Sequence, residues 1–207
     1  MRATASVFVI DDDPSVRKSL TRLIETAGYT VEAFGSAGDF LKAMPAPGPC
    51  CLVLDVRMPG ITGLDLQKTL AQAVHRIPVV FITGHGDIAM GVEAMKAGAI
   101  DFLTKPFASK DLLEAIQRAV NKDTRDLGNE ARAREVHARV KTLTPRERQV
   151  FALVVTGMLN KQIAAQLGVV EKTVKVHRAR VMEKMRAGSV AELVRLADEV
   201  GVIVAKS

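Results

Sequence analysis

The chain of 207 residues is long enough for one or two compact domains. With 48% hydrophobic and 25% charged residues it can build apolar cores, which argues against an intrinsically disordered chain. The formal net charge is +6, and the distribution of this positive excess along the chain is informative about function.

The sequence shows no sign of membrane insertion or export. No apolar run approaches the roughly 20 residues that a membrane-spanning helix needs. Only four consecutive apolar residues (7–10) follow the polar N-terminal stretch, too few for the core of a signal peptide. Cys50 and Cys51 are adjacent, which is poor geometry for a disulfide between them. We therefore expect a cytoplasmic protein that does not contact a membrane.

The positive charge is confined to the second half of the chain. Residues 1–122 hold 13 Lys and Arg against 13 Asp and Glu, whereas residues 123–207 hold 16 against 10 and carry the whole excess. This asymmetry suggests that the second half meets a polyanion such as nucleic acid. A solvated basic surface explains the charge equally well, so the residue pattern of the second half has to distinguish the two explanations.

The first half alternates short β-rich runs with helical patterns. The runs are residues 7–10, 30–34, 51–54, 79–83 and 101–104. Apolar residues with helical spacing lie between them, for example Val16, Leu20 and Ile24, or Val92, Met95 and Ala99. Five repeats of strand and helix predict an α/β fold with a parallel sheet covered on both faces. We assign residues 1–122 to this domain.

Residues 123–142 are charged and Ala-rich with only a weak helical stripe, which predicts a linker, helical or not, outside any core. Residues 143–207 contain helix signals and no strand signals. Thr144-Pro145-Arg146-Glu147 combines a capping box with proline at the first helical position. Asn160 can cap a short helix that Gly168 closes, a long helix spans about 171–186, and Ser189 can cap a fourth. A short helix leading through a glycine turn into a longer basic helix predicts a helix-turn-helix within a four-helix domain.

Polar residues follow several strands of the predicted sheet. The first strand leads into Asp11, Asp12 and Asp13, the third into Asp55, the fourth into Thr83 and the fifth into Lys105. Ligands of open parallel sheets bind beyond the carboxyl ends of the strands, so these groups should converge. Taken singly, a strand-end threonine or a lysine before proline is ordinarily structural, and the convergence is what favours function.

The converging groups suit phosphoryl transfer. Clustered carboxylates favour Mg²⁺, with Asp12 as direct ligand, Asp11 acting through water, and the Arg57 carbonyl as a further oxygen. Asp55, at the end of the central strand, is the best candidate nucleophile. The metal, Thr83 and Lys105 would share the charge on the phosphoryl oxygens. Asp13, nearest the following helix, is better explained as its N-cap.

These motifs resemble the receiver domain of two-component response regulators. The matching pieces are Val-Phe-Val-Ile-Asp-Asp-Asp (7–13), Leu-Val-Leu-Asp-Val-Arg-Met-Pro-Gly (52–60), Ile-Thr-Gly (82–84) and Lys-Pro-Phe (105–107). The stretch 83–102 is similar to the FixJ-like subgroup. The resemblance implies a flavodoxin-like (βα)5 fold in which Asp55 accepts phosphate from a sensor histidine kinase. It also implies a switch formed by Thr83 and Phe102 and a cis Lys105–Pro106 bond, with ordinary core packing of Phe102 as the less favoured alternative.

The helix at 171–186 has two faces. Val174, Val181 and Met185 form the stripe that should pack on the other helices. The opposite stripe should enter a major groove of double-stranded DNA, with arginines beside it on phosphates and the start of the preceding helix on another phosphate. The residues so assigned are Lys172, Lys175, Val176, Ala179 and Glu183 for the groove, and Arg178, Arg180, Asn160 and Lys161 for phosphates.

Residues 143–200 resemble the LuxR/NarL/FixJ-type DNA-binding domain. The matching pieces are residues 143–150, 157–164, 167–169, 172–177 and 182–185, which adds Thr173 and His177 to the expected contacts. His177 has no second ligand at metal spacing, so packing or a phosphate contact is the better explanation. Val170 stands where the family often has serine, and a lost N-cap costs typically about 1 kcal/mol of helix stability.

The expected function is a phosphorylation-dependent transcription regulator, not an enzyme beyond self-phosphorylation and dephosphorylation at Asp55. It would act as an activator, bind promoter DNA as a homodimer when phosphorylated, and contact RNA polymerase. The alternative is a phosphorelay or adaptor protein whose basic tail binds protein or RNA. A flavodoxin-like cofactor protein is disfavoured, since no phosphate-cradling glycine loop follows the first strand.

Overall fold

The computed structural model describes residues 5–43, 48–72, 76–84 and 88–201. The chain divides into two compact units, residues 1–127 and 128–207. The first unit is built from strands and helices, and the described part of the second contains helices only. The terminal residues of both predicted domains, 1–4 and 202–207, lie outside the described residues, as do residues 85–87 of the FixJ-like stretch.

Five parallel strands form the sheet of the first unit, in the order β2-β1-β3-β4-β5. They alternate along the chain with helices, which confirms the predicted α/β fold and the central position of the strand that carries Asp55. The strands are β1 (Ser6–Ile10), β2 (Thr30–Phe34), β3 (Cys50–Asp55), β4 (Val79–Thr83) and β5 (Asp101–Thr104). The helices are α1 (Pro14–Thr26), α2 (Ala37–Ala43), α3 (Gly63–Leu70), α4 (Ile88–Lys96) and α5 (Ser109–Lys141).

Both faces of the sheet are buried under helices. Alternate strand residues such as Phe8, Leu52 and Phe81 pack with α2, α3 and α4 on one face. The residues between them, such as Val53 and Ile82, pack with α1 and α5 on the other face. Every residue of β3 and β4 is buried, as expected for central strands of a two-sided parallel sheet.

The N-termini of α1 and α3 lie directly beside the residues that follow or end β1 and β3. Asp13 caps α1 and accepts hydrogen bonds from the backbone N–H groups of Ser15 (2.7 Å) and Val16 (3.4 Å), which confirms its predicted role. Gly63 begins α3 so close to the end of β3 that a Cβ atom would lie 2.3 Å from the carbonyl oxygen of Asp55. Glycine is therefore required there for α3 to pack against the strand.

Helix α4 buries only part of the apolar residues whose spacing predicted it. Ala99, just after the helix, is buried, whereas the exposed fractions of Val92, Met95 and Ile88 are 48%, 46% and 84%. Ala94 is the buried residue of this helix. The apolar spacing predicted the helix but does not say which face is buried, because α4 is apolar around most of its circumference.

Both cysteines are buried, free thiols on adjacent residues of β3. Burial, followed by the neighbouring carboxylate of Asp123, raises the pKa of Cys50 to about 12, and burial raises that of Cys51 well above 9.0. Since the thiolate is the reactive form, neither thiol is a nucleophile at neutral pH. Asp123 of α5 also accepts a hydrogen bond of 2.8 Å from the backbone N–H of Cys50.

Residues 123–141 are helical, as part of α5. The expectation that this segment stays outside any core is wrong at two positions. Asp123 is fully buried in the first unit, and Val136 is 2% exposed in the core of the second. Val136 and the partly buried Val140 form the weak apolar stripe, and both pack in the core of the second unit.

Four further helices build the second unit: α6 (Pro145–Val155), α7 (Asn160–Leu167), α8 (Glu171–Met185) and α9 (Val190–Glu199). The capping box of Thr144 and Glu147 is present, and Ser189 caps α9 through the backbone N–H of Glu192 (3.1 Å), both as predicted. The predicted inner stripe of α8 (Val174, Val181, Met185) is fully buried.

The starts of α7 and α8 lack a side-chain cap. Asn160 was expected to cap α7, but it is the first helical residue and Leu159 occupies the cap position. Gln162 instead reaches back to the backbone N–H of Leu159 (2.7 Å). At α8, Val170 occupies the cap position and provides no hydrogen bond, because a valine side chain has no acceptor atom. Gly168 closes α7 with a φ of +63°, as predicted.

A buried ion pair joins α6 to α8. The carboxylate of Glu147, 2% exposed, accepts a hydrogen bond of 2.6 Å from the ammonium of Lys184 and one of 2.8 Å from the backbone N–H of Thr144. The Lys184 hydrogen bond, followed by that from Thr144, lowers the pKa of Glu147 from 4.5 to about 2. The carboxylate is thus held in its ionised form by the folded second unit.

We expect the stability of the second unit to depend on this carboxylate and on pH. Because folding lowers the pKa of Glu147 to about 2, its contribution is complete above pH 4.5, shrinks as the pH falls further, and is lost below about pH 2. Glu147→Gln should therefore lower the urea midpoint of NMR signals from α6 and α8 clearly at pH 6 and less at pH 3. Glu183→Gln, at an exposed position of α8, is the control. An equal effect of Glu147→Gln at both pH values would contradict the assignment.

Candidate functional site

The carboxyl edge of the sheet collects the polar residues singled out in the sequence. Asp11 follows β1, Asp55 ends β3, Thr83 ends β4 and Lys105 follows β5. Asp11, Asp55 and Thr83 are 1%, 7% and 0% exposed, although all three side chains are polar. Buried polar groups need partners, so the contacts between them define the site.

The ammonium of Lys105 joins the two buried carboxylates. Its Nζ donates hydrogen bonds to Asp11 Oδ2 (2.7 Å) and to Asp55 Oδ2 (3.0 Å). Partial burial by itself would lower the pKa of Lys105, but the hydrogen bonds to Asp11 and Asp55 outweigh it, and the pKa is raised above 10.5. Lys105 is therefore charged at neutral pH and offsets the repulsion between the carboxylates.

Backbone groups and one arginine hold the acidic residues in place. The second oxygen of Asp11 accepts from the Asp13 N–H (2.9 Å), and that of Asp55 accepts from the Arg57 N–H (3.2 Å). The guanidinium of Arg17 in α1 donates to the carbonyl oxygen of Asp11 (2.6 Å). Sequence reasoning missed Arg17, since a single arginine on a helix gives no signal that it turns back to the preceding loop.

Three carboxylates of this edge could share a metal ion. Asp11, Asp12 and Asp55 each offer an oxygen, and these atoms lie within 4.8 Å of one another. The Asp12 side chain is exposed, so it is accessible to a hydrated cation. An all-oxygen set with one open, solvated member fits Mg²⁺, which keeps several of its waters.

The expected switch residues lie on neighbouring strands. Thr83 is fully buried, and its carbonyl oxygen accepts a hydrogen bond of 2.7 Å from the backbone N–H of Lys105. The Lys105–Pro106 peptide bond is cis, as the resemblance implied. The Phe102 ring is partly buried, lies 6.3 Å from the Phe81 ring, and faces Gly91 of α4, where a Cβ would come within 3.3 Å.

The predicted outer stripe of α8 is exposed as a basic face. Lys172, Lys175, Val176, Ala179 and Arg180 are all exposed, and Thr173 and His177 are partly buried beside them. Lys175 pairs with Glu171 at 3.2 Å, but its side chain is 64% exposed, and such surface pairs contribute little. The face can therefore release this contact to bind an anion.

Two of the expected phosphate contacts are linked to each other. The Arg178 guanidinium donates a hydrogen bond of 2.9 Å to the Asn160 side-chain oxygen, which fastens α8 to the start of α7. Lys161, the next residue of α7, is exposed. The Nδ1 atom of His177 is buried and has no hydrogen-bond partner among the described residues, which supports a packing role for this histidine.

Comparison with protein families assigns the first unit. The family model described as the response regulator receiver domain matches residues 7–117, more than half of the chain. The chain belongs to the response regulators. A second model, described as bacterial regulatory proteins of the luxR family, matches residues 141–197, which span α6, α7, α8 and most of α9. Both resemblances seen in the sequence are thereby confirmed.

Relatives match along nearly the whole response regulator. Nodulation protein W of Bradyrhizobium diazoefficiens is 48% identical over 96% of this chain and 87% of its own length. The transcriptional regulatory protein FixJ of the same organism is 43% identical over 98% and 99% of the two chains. The response regulator is therefore a transcription regulator of a two-component system with a receiver and a LuxR-type DNA-binding domain.

Solved structures agree with this fold. The response regulator StyR is similar with a TM-score of 0.83 and 46% identity over 95% of this chain and 100% of its own. Full-length FixJ from B. japonicum gives a TM-score of 0.58 and 43% identity over 97% and 100% of the two chains. In the described part of this response regulator, no helix is both long and apolar enough to cross a membrane.

Proposed function

We propose that Asp55 accepts a phosphoryl group from a sensor histidine kinase and that this modification controls binding of the second unit to promoter DNA. The observation that carries the proposal is the contact of Lys105 Nζ with the carboxylates of both Asp55 and Asp11. It puts the proposed nucleophile, a cation and a second carboxylate together at one sheet edge. We propose residues 1–122 as receiver domain, 123–142 as linker and 143–207 as DNA-binding domain.

The chemistry assigned to Asp55 is an in-line displacement. A carboxylate oxygen of Asp55 attacks phosphorus, the bond to the phosphodonor breaks, and an acyl phosphate forms. The Lys105 ammonium, already 3.0 Å from Asp55 Oδ2, can follow the charge onto a phosphoryl oxygen. We assign the Thr83 hydroxyl as hydrogen-bond donor to a second oxygen of the phosphoryl group. We propose no catalysis beyond this transfer and the later hydrolysis of the acyl phosphate.

Mg²⁺ is the proposed cofactor. Asp12 would bind the ion directly, Asp11 through water, and Asp55 and the Arg57 carbonyl would complete the protein ligands. When bound, the ion supplies positive charge that offsets the repulsion between the incoming phosphoryl oxygens and the carboxylates. The support is the proximity of the three carboxylates and the exposure of Asp12.

We assign the switch to Thr83 and Phe102. A phosphoryl group on Asp55 would draw the Thr83 hydroxyl toward it, since β3 and β4 are neighbours and Asp55 pairs with Ile82, the residue before Thr83. The space so vacated lies toward β5, where Phe102 pairs with Phe81 of β4. Movement of the Phe102 ring would change its contact with Gly91 and thus the surface of α4.

The exposed side chains Ile88, Val92 and Met95 support dimerisation of the phosphorylated receiver domain. Isolated apolar residues on a surface are ordinary, but three on one helix beside the switch form a patch that association would bury. A dimer would present two recognition helices to paired half-sites of duplex DNA. We propose an activator, acting in the cytoplasm, that contacts RNA polymerase from such a site.

Asp55→Asn should abolish phosphorylation. The amide is a poor nucleophile and lacks the charge that pairs with Lys105, so radiolabelled acetyl phosphate in Mg²⁺ should leave the variant unlabelled. Asp111→Asn, at an exposed position of α5, should be labelled like the wild type. Stoichiometric label on another residue of Asp55→Asn would overturn the assignment.

Lys175→Ala should weaken binding to a selected duplex site about 5- to 150-fold, because one charged contact to DNA is worth about 1–3 kcal/mol. Fluorescence anisotropy at fixed salt measures the affinity, with Lys110→Ala in the first unit as control. Labelling of Asp55 should stay normal, and its loss in the same variant would indicate misfolding. Unchanged affinity, or duplex binding without site preference, would favour the adaptor or RNA-binding alternative.

Val92→Glu should keep the phosphorylated protein monomeric, because it places a charge in the apolar patch of α4. Sedimentation velocity with and without acetyl phosphate measures the change, and we expect wild type to dimerise only when phosphorylated. Ala33→Glu, at an exposed position of β2, serves as the control. Dimerisation of Val92→Glu at the wild-type concentration would show that the interface lies elsewhere.

A further inference from the structure

We propose that Arg17 of α1 is a positioning residue that holds Asp12 in place for Mg²⁺ and thereby favours this ion over the larger Ca²⁺. This role rests on the proposed Mg²⁺ site and adds to it a residue that is not a ligand, since a guanidinium has no acceptor atom. Asp12 lies in the loop between β1 and α1. The Arg17 guanidinium donates a hydrogen bond of 2.6 Å to the carbonyl oxygen of Asp11 in the same loop.

The bonded carbonyl belongs to the peptide group that carries Asp12. The C=O of Asp11 and the N–H of Asp12 lie in one plane, so a hydrogen bond that fixes the carbonyl also fixes the orientation of the Asp12 backbone. The neighbouring residues are held as well, Asp11 by Lys105 at 2.7 Å and Asp13 by its cap of α1. The Asp12 side chain is exposed, so its position depends on these contacts of the residues on either side.

Helix geometry directs Arg17 to this loop. Arg17 lies in the first turn of α1, and helical side chains point back toward the N-terminus of their helix. The helix dipole disfavours a cation there, so the stability of α1 does not explain the position of this arginine. A Cβ atom on Gly35, which follows β2, would lie 3.6, 3.7 and 3.8 Å from Nη1, Cζ and Nη2 of the guanidinium. The guanidinium is thus confined by the chain segments that follow β1 and β2.

The guanidinium is not a counter-ion of the acidic residues. Among the described residues Arg17 forms no ion pair, whereas Lys105 pairs with both Asp11 and Asp55. A positive charge near the site repels a divalent cation, so removing the charge alone would strengthen metal binding. Loss of the position of Asp12 would weaken it. The two explanations therefore predict opposite signs for a variant that removes the guanidinium.

A loop held in one conformation discriminates between the two ions. Mg²⁺ binds oxygen at about 2.0–2.1 Å and demands a near-ideal octahedron, whereas Ca²⁺ accepts flexible geometries at about 2.3–2.6 Å. A carboxylate whose backbone is held suits the ion with the stricter geometry, and a carboxylate on a loosened loop can still move to bind Ca²⁺. Arg17 should therefore contribute more to the affinity for Mg²⁺ than to the affinity for Ca²⁺.

Arg17→Met tests this role, because it removes both the hydrogen bond and the charge. NMR titration of the ¹⁵N-labelled full-length protein with MgCl₂ or CaCl₂, at constant ionic strength and without phosphodonor, gives both Kd values from the amide signals of Asp12, Asp13 and Val56. The variant should raise the Kd of Mg²⁺ about tenfold, as is typical for residues that orient a metal ligand, and that of Ca²⁺ by no more than about threefold. Lys18→Met, at an exposed position of α1, removes one charge and should leave the ratio of the two Kd values unchanged.

Arg17→Lys separates geometry from charge. Its ammonium can donate to the Asp11 carbonyl but lacks the flat face that lies beside Gly35, so the Kd of Mg²⁺ should fall between those of wild type and Arg17→Met. Unchanged or tighter Mg²⁺ binding by Arg17→Met, or equal factors for the two ions, would overturn the proposal even though wild type binds Mg²⁺. If the wild-type signals of Asp12 and Val56 do not respond to Mg²⁺, the metal site itself is wrong and this role falls with it. Should Arg17→Met unfold, Arg17→Lys still decides, because charge alone predicts the wild-type Kd for it.

Discussion

The ion pairs of Lys105 with Asp11 and Asp55 are the interaction on which the proposed phosphorylation site depends. Two carboxylates with little access to water repel each other strongly, because the local dielectric constant is low. The ammonium lies 2.7 and 3.0 Å from them and makes their proximity tolerable. It also places a cation beside Asp55, the proposed nucleophile, where it can follow the transferred charge. Stability and chemistry therefore rest on one contact between β1, β3 and the residue after β5.

The second unit separates these two roles. Its buried ion pair, Glu147 with Lys184, joins α6 to α8. The outer face of α8 takes no part in this contact. The lysines of that outer face make at most a surface ion pair, as Lys175 does with Glu171. A basic face that the fold does not need is free to bind a phosphate backbone. In the receiver unit Lys105 both stabilises the fold and lies at the proposed site. In the second unit Lys184 stabilises the fold, and other lysines of α8 form the outer basic face.

Prediction from the sequence succeeded where one local rule decides and failed where packing chooses between equal options. The strands, the caps at Asp13 and Ser189, and the inner stripe of α8 follow from periodicity and side-chain chemistry. The buried face of α4 did not, because a helix that is apolar around most of its surface does not say which side is covered. Asn160 failed as a cap because α7 begins at Asn160 itself, and its side-chain oxygen accepts a hydrogen bond from Arg178, a residue distant in sequence.

The sequence by itself determined the two kinds of domain, the carboxylates that end the strands and the basic outer face of α8. These features are local, since strand period, helix period and capping depend on residues only a few positions apart. Only the tertiary structure decided the partners of the buried polar groups. It placed Lys105 between Asp11 and Asp55, turned Arg17 to the Asp11 carbonyl, and left the buried Gln67 Oε1 without a hydrogen-bond partner among the described residues. Such contacts join distant residues and depend on the packing of whole elements, which no short-range pattern records.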